Sequence, residues 1–223
     1  MFNKRHIVRT IAATVSILAL SFTAACGSGQ STASNSTDSD DITQQTYKPG
    51  KLTIATGQPA YEPWVMNDKP ESGEGYEAAV AYAVADKLGF KKSDVVWTRT
   101  AFDTAIAPGA KDWDFNIQQF GITDERKKAV DFSSSYYNDS QSVVVKKDSK
   151  FANATKVSDL KDATVGVMVG TLAYDYAKAN IKDDIQTFND DAALAQALDA
   201  GQIDALVTST VECVYMVQSE QVK

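Results

Sequence analysis

From about residue 50 onward the chain alternates short β-rich apolar runs with helical stretches, and this alternation leaves few folds open. Residues 51–56, 95–99, 113–120, 142–146, 163–169, 185–188 and 203–207 read as strands. Between them lies a helix over 75–88, with Tyr76, Val80, Val84 and Leu88 four apart on one face. A short helix over 102–107 is stopped by Pro108-Gly109, and a charged turn over 123–128 opens on Thr123 as N-cap. Further helices are predicted at 157–160, at 171–180, after Asn189 or Asp190 as cap, and at 211–217. The third of these carries Leu194 and Leu198 on one face and closes at Gly201. Strands alternating with helices in this way predict an α/β fold with largely parallel sheets. There is no P-loop, GxGxxG or GxSxG motif. The spacing of Gly166 and Gly170 suits an anion cradle and suits a plain strand-to-helix turn equally.

The first residues read as an address. Lys4, Arg5 and Arg9 precede an apolar run over 11–22, which is short for a membrane span of ~20 residues. Thr23-Ala24-Ala25-Cys26 then resembles the lipobox of a bacterial lipoprotein, with Thr23 where leucine is usual. That resemblance implies removal of residues 1–25 and a diacylglyceryl group on Cys26, whose paired chains give stable anchoring. The bland alternative is a secretory leader that happens to contain a cysteine. Apart from Ala33 and Ile42, residues 27–46 are all Gly, Ser, Thr, Asn, Gln or Asp. Such a segment buries too little apolar area to order itself, so 26–46 is expected to be a lipidated cysteine and a flexible tether.

What the remainder lacks limits its chemistry. The one histidine, His6, lies in the leader, which excludes a His-based triad, a His-ligated metal and a His general base. The cysteines are Cys26 and Cys213, giving neither a disulfide framework nor a CxxC zinc site. Cys213, among Val211, Val214 and Met216, reads as a buried structural residue. A formal net charge of −7 without a basic stripe argues against nucleic acid as a partner. No cofactor and no metal are expected.

Several segments occur in a telling order: Gly50-Lys-Leu-Thr-Ile-Ala-Thr56, Tyr61-Glu-Pro-Trp64, and Gly75-Tyr-Glu77 with Ala79 at a second, usually acidic position. They are followed by Gly121-Ile-Thr-Asp-Glu-Arg126 with Val130-Asp-Phe-Ser133, by Val165-Gly-Val-Met-Val-Gly-Thr171, and by Gly201-Gln-Ile-Asp-Ala205. Together, over about residues 49–217, they resemble the extracellular solute-binding proteins of polar amino-acid ABC transporters, family 3, which have the type II periplasmic-binding fold. The resemblance implies two α/β lobes, 47–140 and 141–223, with a ligand cleft between them and a crossing near 137–144. Family members usually continue past the position of Lys223 with a last strand, a second hinge strand and a closing helix. By that measure the C-terminal return segment is missing and the second lobe is incomplete, as in a truncated or unusually short member.

The resemblance also assigns a site. Arg126 would clamp the ligand carboxylate, since its guanidinium fork gives two parallel charge-assisted bonds; alone, it would read as a surface arginine among Asp124, Glu125, Lys127 and Lys128. Gly121 would let the backbone approach the same carboxylate. Thr171, with Val169 before it in the motif, would offer hydroxyl and amide at a helix start, or serve as a plain N-cap. Tyr61, Trp64 and Phe102 would wall the ligand side chain, with core packing the alternative for Trp64, and Phe120 is expected among the ligand-binding residues. Gln118 and Gln119 would supply hydrogen bonds, one of them being free to face the lobe interior. Ser209 falls where many members carry an aspartate for the α-ammonium group. It has no charge, which leaves the amino end to Glu212 or Glu62, or points to a carboxylate without an α-ammonium group. The implied function is a non-enzymatic, lipid-anchored, extracytoplasmic monomer. It would capture a small polar solute, an amino acid or related carboxylate, and present it to the transmembrane subunits of an ABC permease. Competing readings are a dehydratase-type enzyme on this fold, for which only carboxylates, lysine or tyrosine would serve as acid or base, an accessory sensor, and a truncated non-functional fragment.

Overall fold

The computed structural model describes residues 41–219 and Val222. The leader, Cys26 and the tether as far as residue 40 lie outside the described residues. The described part of the expected tether contains local structure. Ile42–Gln44 forms a 3-10 turn capped by the Asp41 side chain, and the Gly50 N–H donates to the Thr43 carbonyl at 2.8 Å. Local caps of this kind order a polar segment without a core.

The first sheet is built from β1 (Leu52–Gly57), β2 (Val95–Thr100) and β3 (Phe115–Asn116), in the order β2-β1-β3 and wholly parallel. Its helices are α1 (Tyr76–Lys87) and α2 (Phe102–Ile106). The central strand β1 is buried along its whole length, as expected of a parallel strand covered on both faces. The second sheet contains β4 (Gln141–Val145), β5 (Val165–Met168), β6 (Ile185–Phe188) and β7 (Ala205–Ser209), in the order β4-β7-β5-β6. β4 is antiparallel to β7 and the other pairs are parallel. α3 (Leu172–Asn180), α4 (Asp191–Asp199) and α5 (Thr210–Gln218) complete this half. The expected α/β architecture with two largely parallel sheets is therefore the one found.

Period-two alternation divides the second core. Leu206 packs with Leu194, Leu198, Ile203 and Met216 on one face. Its neighbours Ala205 and Val207 pack with Val165, Val167, Ala173 and Ala177 on the other. Gly166 lies inside β5 for a related reason. A Cβ there would stand 2.6 Å from Ile203 Cδ1, so this glycine serves close packing and not an anion cradle.

Two sequence expectations are corrected. The apolar run over 113–120 yields a strand of only Phe115–Asn116, flanked by the Asp114 and Ile117 N–H bonds to β1, and the chain turns away by Gln119, whose φ is 51°. In α1 the buried stripe is Glu77, Ala78, Ala81 and Ala85, whereas Tyr76 is 42% exposed. Alanines let this helix sit close above Leu52 and Ile54, while Val80, Val84 and Leu88 pack along its flank.

That stripe contains a carboxylate. Glu77 is 0% exposed and accepts hydrogen bonds from the Gln119 backbone N–H at 2.8 Å, the Gln119 side-chain amide and the Tyr136 hydroxyl. Burial pushes its carboxyl up to about 7, against the opposing pull of these three donors. Between its ordinary value of 4.5 and about 7 the folded chain thus holds a proton that the unfolded chain has released. Folding stability therefore falls as pH rises through that window. Thermal melts of the full chain should show the midpoint dropping there, with up to ~3 kcal/mol withdrawn by this group, and Glu77→Gln should flatten part of the decline.

Candidate functional site

Parallel strands all point the same way, so their carboxyl ends and the helix N-termini that follow gather on one edge of each sheet. Thr56 and Gly57 at the end of β1, Asn116 at the end of β3, Met168 at the end of β5, and Thr208 and Ser209 at the end of β7 all line one cavity of about 380 Å³. The antiparallel β4 contributes its start, Gln141, to the same wall. Residues 133–139, in the segment that leads from the first half of the chain into β4, line it as well.

Arg126 is positioned by a capped turn, its backbone N–H donating to the Thr123 hydroxyl at 3.1 Å. Its Nη1 donates to the Gly121 carbonyl at 2.8 Å and its Nη2 to the Gly170 carbonyl at 2.9 Å. The guanidinium thereby ties the first half of the chain to the second. It lies 5.6 Å and 5.4 Å from the ring centroids of Phe102 and Phe120, which stack on each other at 4.1 Å. Burial lowers its pKa from the usual arginine value, with Asp175 pulling the other way. It stays cationic at neutral pH, and its five-donor fork keeps N–H groups for a carboxylate.

All the predicted residues except Val169 line this cavity, but several do other work than expected. Val169 is 46% exposed and its N–H donates to the Phe188 carbonyl at 2.9 Å, which extends the β5–β6 ladder away from the cleft. The Thr171 hydroxyl donates to the Met168 carbonyl at 2.8 Å and accepts from the Tyr174 N–H, so its one proton is spent and it acts as the cap of α3. Gln119 is the glutamine that turns inward, to Glu77, whereas Gln118 is buried and accepts from the Asn116 side-chain amide at 3.2 Å. Trp64 is buried in the wall, edge-on to Tyr76 and Tyr137. Gly121 faces the opposite side of the cleft, where a Cβ would stand 2.3 Å from Leu172 Cδ1 and would have to displace that side chain. Tyr61 crosses the cleft too, its hydroxyl accepting the Ala192 N–H at 3.4 Å, and burial pushes its phenol up. The Tyr215 hydroxyl donates to Glu62, a further cross-cleft contact. Cys213 is buried as expected, which pushes its thiol up to about 12.

Near Ser209 the cavity holds a buried acidic pair, Asp191 and Glu212, of which only Glu212 was a candidate from the sequence. Ser209 is the N-cap of α5, its hydroxyl accepting the Glu212 N–H at 3.2 Å. The acidic groups of the cavity are Asp139, Asp191 and Glu212, and its one basic lining residue is Arg126. Asp191 and Glu212 are 6% and 8% exposed and share the Thr208 hydroxyl, at 3.5 Å and 2.8 Å. Burial drives both carboxyls upward, and the neighbouring Glu212 charge adds to the rise of Asp191. In the sequence Asp191 is one of two acids at a helix start, where acids are ordinary. Only the geometry shows that Asp190 makes the cap, to the Ala193 N–H at 2.8 Å, and leaves Asp191 to the cleft. Among the described residues, no group of three His, Cys, Asp or Glu side chains is placed to hold a metal ion.

The model of the bacterial extracellular solute-binding proteins, family 3, matches residues 52–197. The L-cystine-binding protein TcyJ of Escherichia coli (strain K12) is 31% identical over 160 residues, 71% of this chain and 59% of that protein. The glutamine-binding protein of Geobacillus stearothermophilus is 32% identical over 225 residues, 92% of this chain and 82% of that one. A crystal structure of the ancestral amino acid-binding protein AncCDT-1, a precursor of cyclohexadienyl dehydratase, matches with a TM-score of 0.65 at 33% identity, covering 80% of this chain and 77% of that one. The chain spans 59% of the length of TcyJ and 62% of the L-arginine-binding protein of Pseudomonas aeruginosa.

The tight approach at Gly121 gives a direct check. Gly121→Ala should lower stability by about 1–3 kcal/mol in urea titrations by overpacking against Leu172, and adding Leu172→Ala should return part of the loss.

Proposed function

The chain belongs to the bacterial extracellular solute-binding proteins, family 3, and on that premise we propose that it is the amino-acid receptor of an ABC importer. The observation that carries this reading is the polarity of the cleft. One cation, Arg126, stands in a cavity whose other charged lining groups, Asp139, Asp191 and Glu212, are acidic. A cavity of about 380 Å³ is of the size that takes a small ligand, and its charges complement a carboxylate and an ammonium group on one molecule. The relatives named above are described as binding cystine, glutamine or arginine, each of which carries both groups.

In this reading residues 47–140 and 141–223 are two lobes that close on the solute. Arg126 clamps the carboxylate, beside Gly121 and the start of α3 at Thr171. Tyr61, Trp64, Phe102 and Phe120 wall the side chain, Gln118 adds hydrogen bonds, and Ser209 holds the α5 terminus beside the ammonium. A solute that touches both halves favours the closed state by its difference in affinity for the two states. The closed receptor then meets the permease subunits. Cys26 carries the lipid that anchors it to the extracytoplasmic side of the cell membrane.

Two experiments test this. Thermal melts of the full chain with a panel of amino acids should give a midpoint shift for at least one. Calorimetry with that amino acid should show Arg126→Ala weakening binding about a hundredfold or more, as loss of two charge-assisted bonds implies; unchanged affinity would remove Arg126 from the site. Separately, Cys26→Ser should move the protein from the membrane fraction to the soluble fraction of producing cells.

A further inference from the structure

Asp191 and Glu212 are not explained by the fold alone. Each sits in the first turn of its helix, where helix dipoles favour acids, yet both are nearly buried and neither forms an ion pair among the described residues. The Thr208 hydroxyl has one proton to give. It lies 2.8 Å from Glu212 and 3.5 Å from Asp191, so Asp191 has only the long arm of a shared donor. A buried carboxylate so weakly satisfied is costly. Both groups also line a second cavity of about 300 Å³, reached past Tyr61 and containing Glu62 and Asp68. The pair thus stands at the boundary of two cavities and is open to a ligand from the main one.

Resting on the reading of the cleft as an amino-acid site, we propose that Asp191, Thr208 and Glu212 form its cation-receiving end, which holds a proton when empty and exchanges it for the ligand's charged nitrogen. The balance is simple. The pair with one shared proton plus an ammonium or guanidinium gives the doubly ionised pair bound to that cation, and one proton leaves to solvent. Two carboxylates that share a buried site cannot both ionise without a nearby cation. The surroundings reinforce this. Asp190 flanks Asp191, Asp139 and Glu77 face Glu212 electrostatically, and the Ser209 hydroxyl and Cys213 thiol pack beside the pair. Tyr61 and Tyr215 present neutral phenols, Glu62 accepts from Tyr215, and Asp68 is occupied by Arg99 at 2.6 Å. Arg126, the one basic residue lining either cavity, is engaged with the Gly121 and Gly170 carbonyls. Desolvation raises both carboxyls, in keeping with a retained proton.

The test is titration calorimetry of the full chain at neutral pH with L-arginine, L-glutamine and L-cystine, each in two buffers of different ionisation enthalpy. Every probe that binds should release about one proton per molecule. Asp191→Asn/Glu212→Gln should abolish the release and weaken binding about tenfold or more, with Glu212→Gln alone as the milder variant. Proton release that persists in Glu77→Gln excludes Glu77 as its source and stands if the pair variants fail to fold. Citrulline and 5-guanidinopentanoate separate the two sources of the cation. Release with citrulline assigns the α-ammonium, and release with 5-guanidinopentanoate alone assigns the side chain. A probe bound without proton release, and with equal affinity by the folded double variant, would overturn the subsite and leave the receptor reading intact. No binding of these three or of any other member of the amino-acid panel would overturn both.

Discussion

The arrangement follows from one constraint: strands buried on both faces leave polar chemistry nowhere to go but their ends. β1 has no exposed residue from Leu52 to Thr56, so the middle of the sheet offers no place for a charge. Parallel strand order then puts the usable ends on a single edge, together with the N-termini of α3, α4 and α5. The orphan N–H groups of those termini are met by Thr171, Asp190 and Ser209, each a side-chain cap. What remains of the helix field favours negative charge at this edge. The cation arrives from elsewhere, on the 3-10 turn that carries Arg126.

The segment leading from the first half into the second is fixed by a different device. Tyr136 and Tyr137 dock against Tyr76 and Trp64 through stacked and edge-on ring contacts. The Tyr76 hydroxyl donates to the Tyr136 carbonyl at 2.7 Å, and the Tyr136 hydroxyl reaches Glu77. Glu77 in turn holds Gln119, which starts the loop toward Arg126. One buried carboxylate therefore couples a helix of the first half, the loop that presents the arginine, and the crossing segment. This gives a physical role to the glutamate of the Gly75-Tyr-Glu77 motif.

Element type and order were legible in the sequence, because apolar periodicity and caps act locally. Thr123, Thr171 and Gly201 sit at helix or turn ends as read, and the Leu194 and Leu198 face of α4 is fully buried. The α1 face was misread because alanines carry little hydrophobic signal, although they are what permits close packing. β3 was read too long, and the left-handed backbone at Gln119 leaves no mark in residue type. At the cleft, residue identity indicated who would be present but not what each hydroxyl or amide would bond. Thr171 and Ser209 spend their polarity on caps, and Leu172 and Thr208 matter only through contacts made across the fold.

Ser209 carries one more implication. A cap at this position requires only an oxygen that accepts the Glu212 N–H, and serine and aspartate cap about equally well. An aspartate would keep α5 intact, but it would set a third carboxyl against a pair that already shares one hydroxyl. Acid at the strand end and acid in the following helical turns are thus alternatives within the same pocket of permitted charge. The scaffold dictates where a negative charge is admissible, and leaves open which residue bears it.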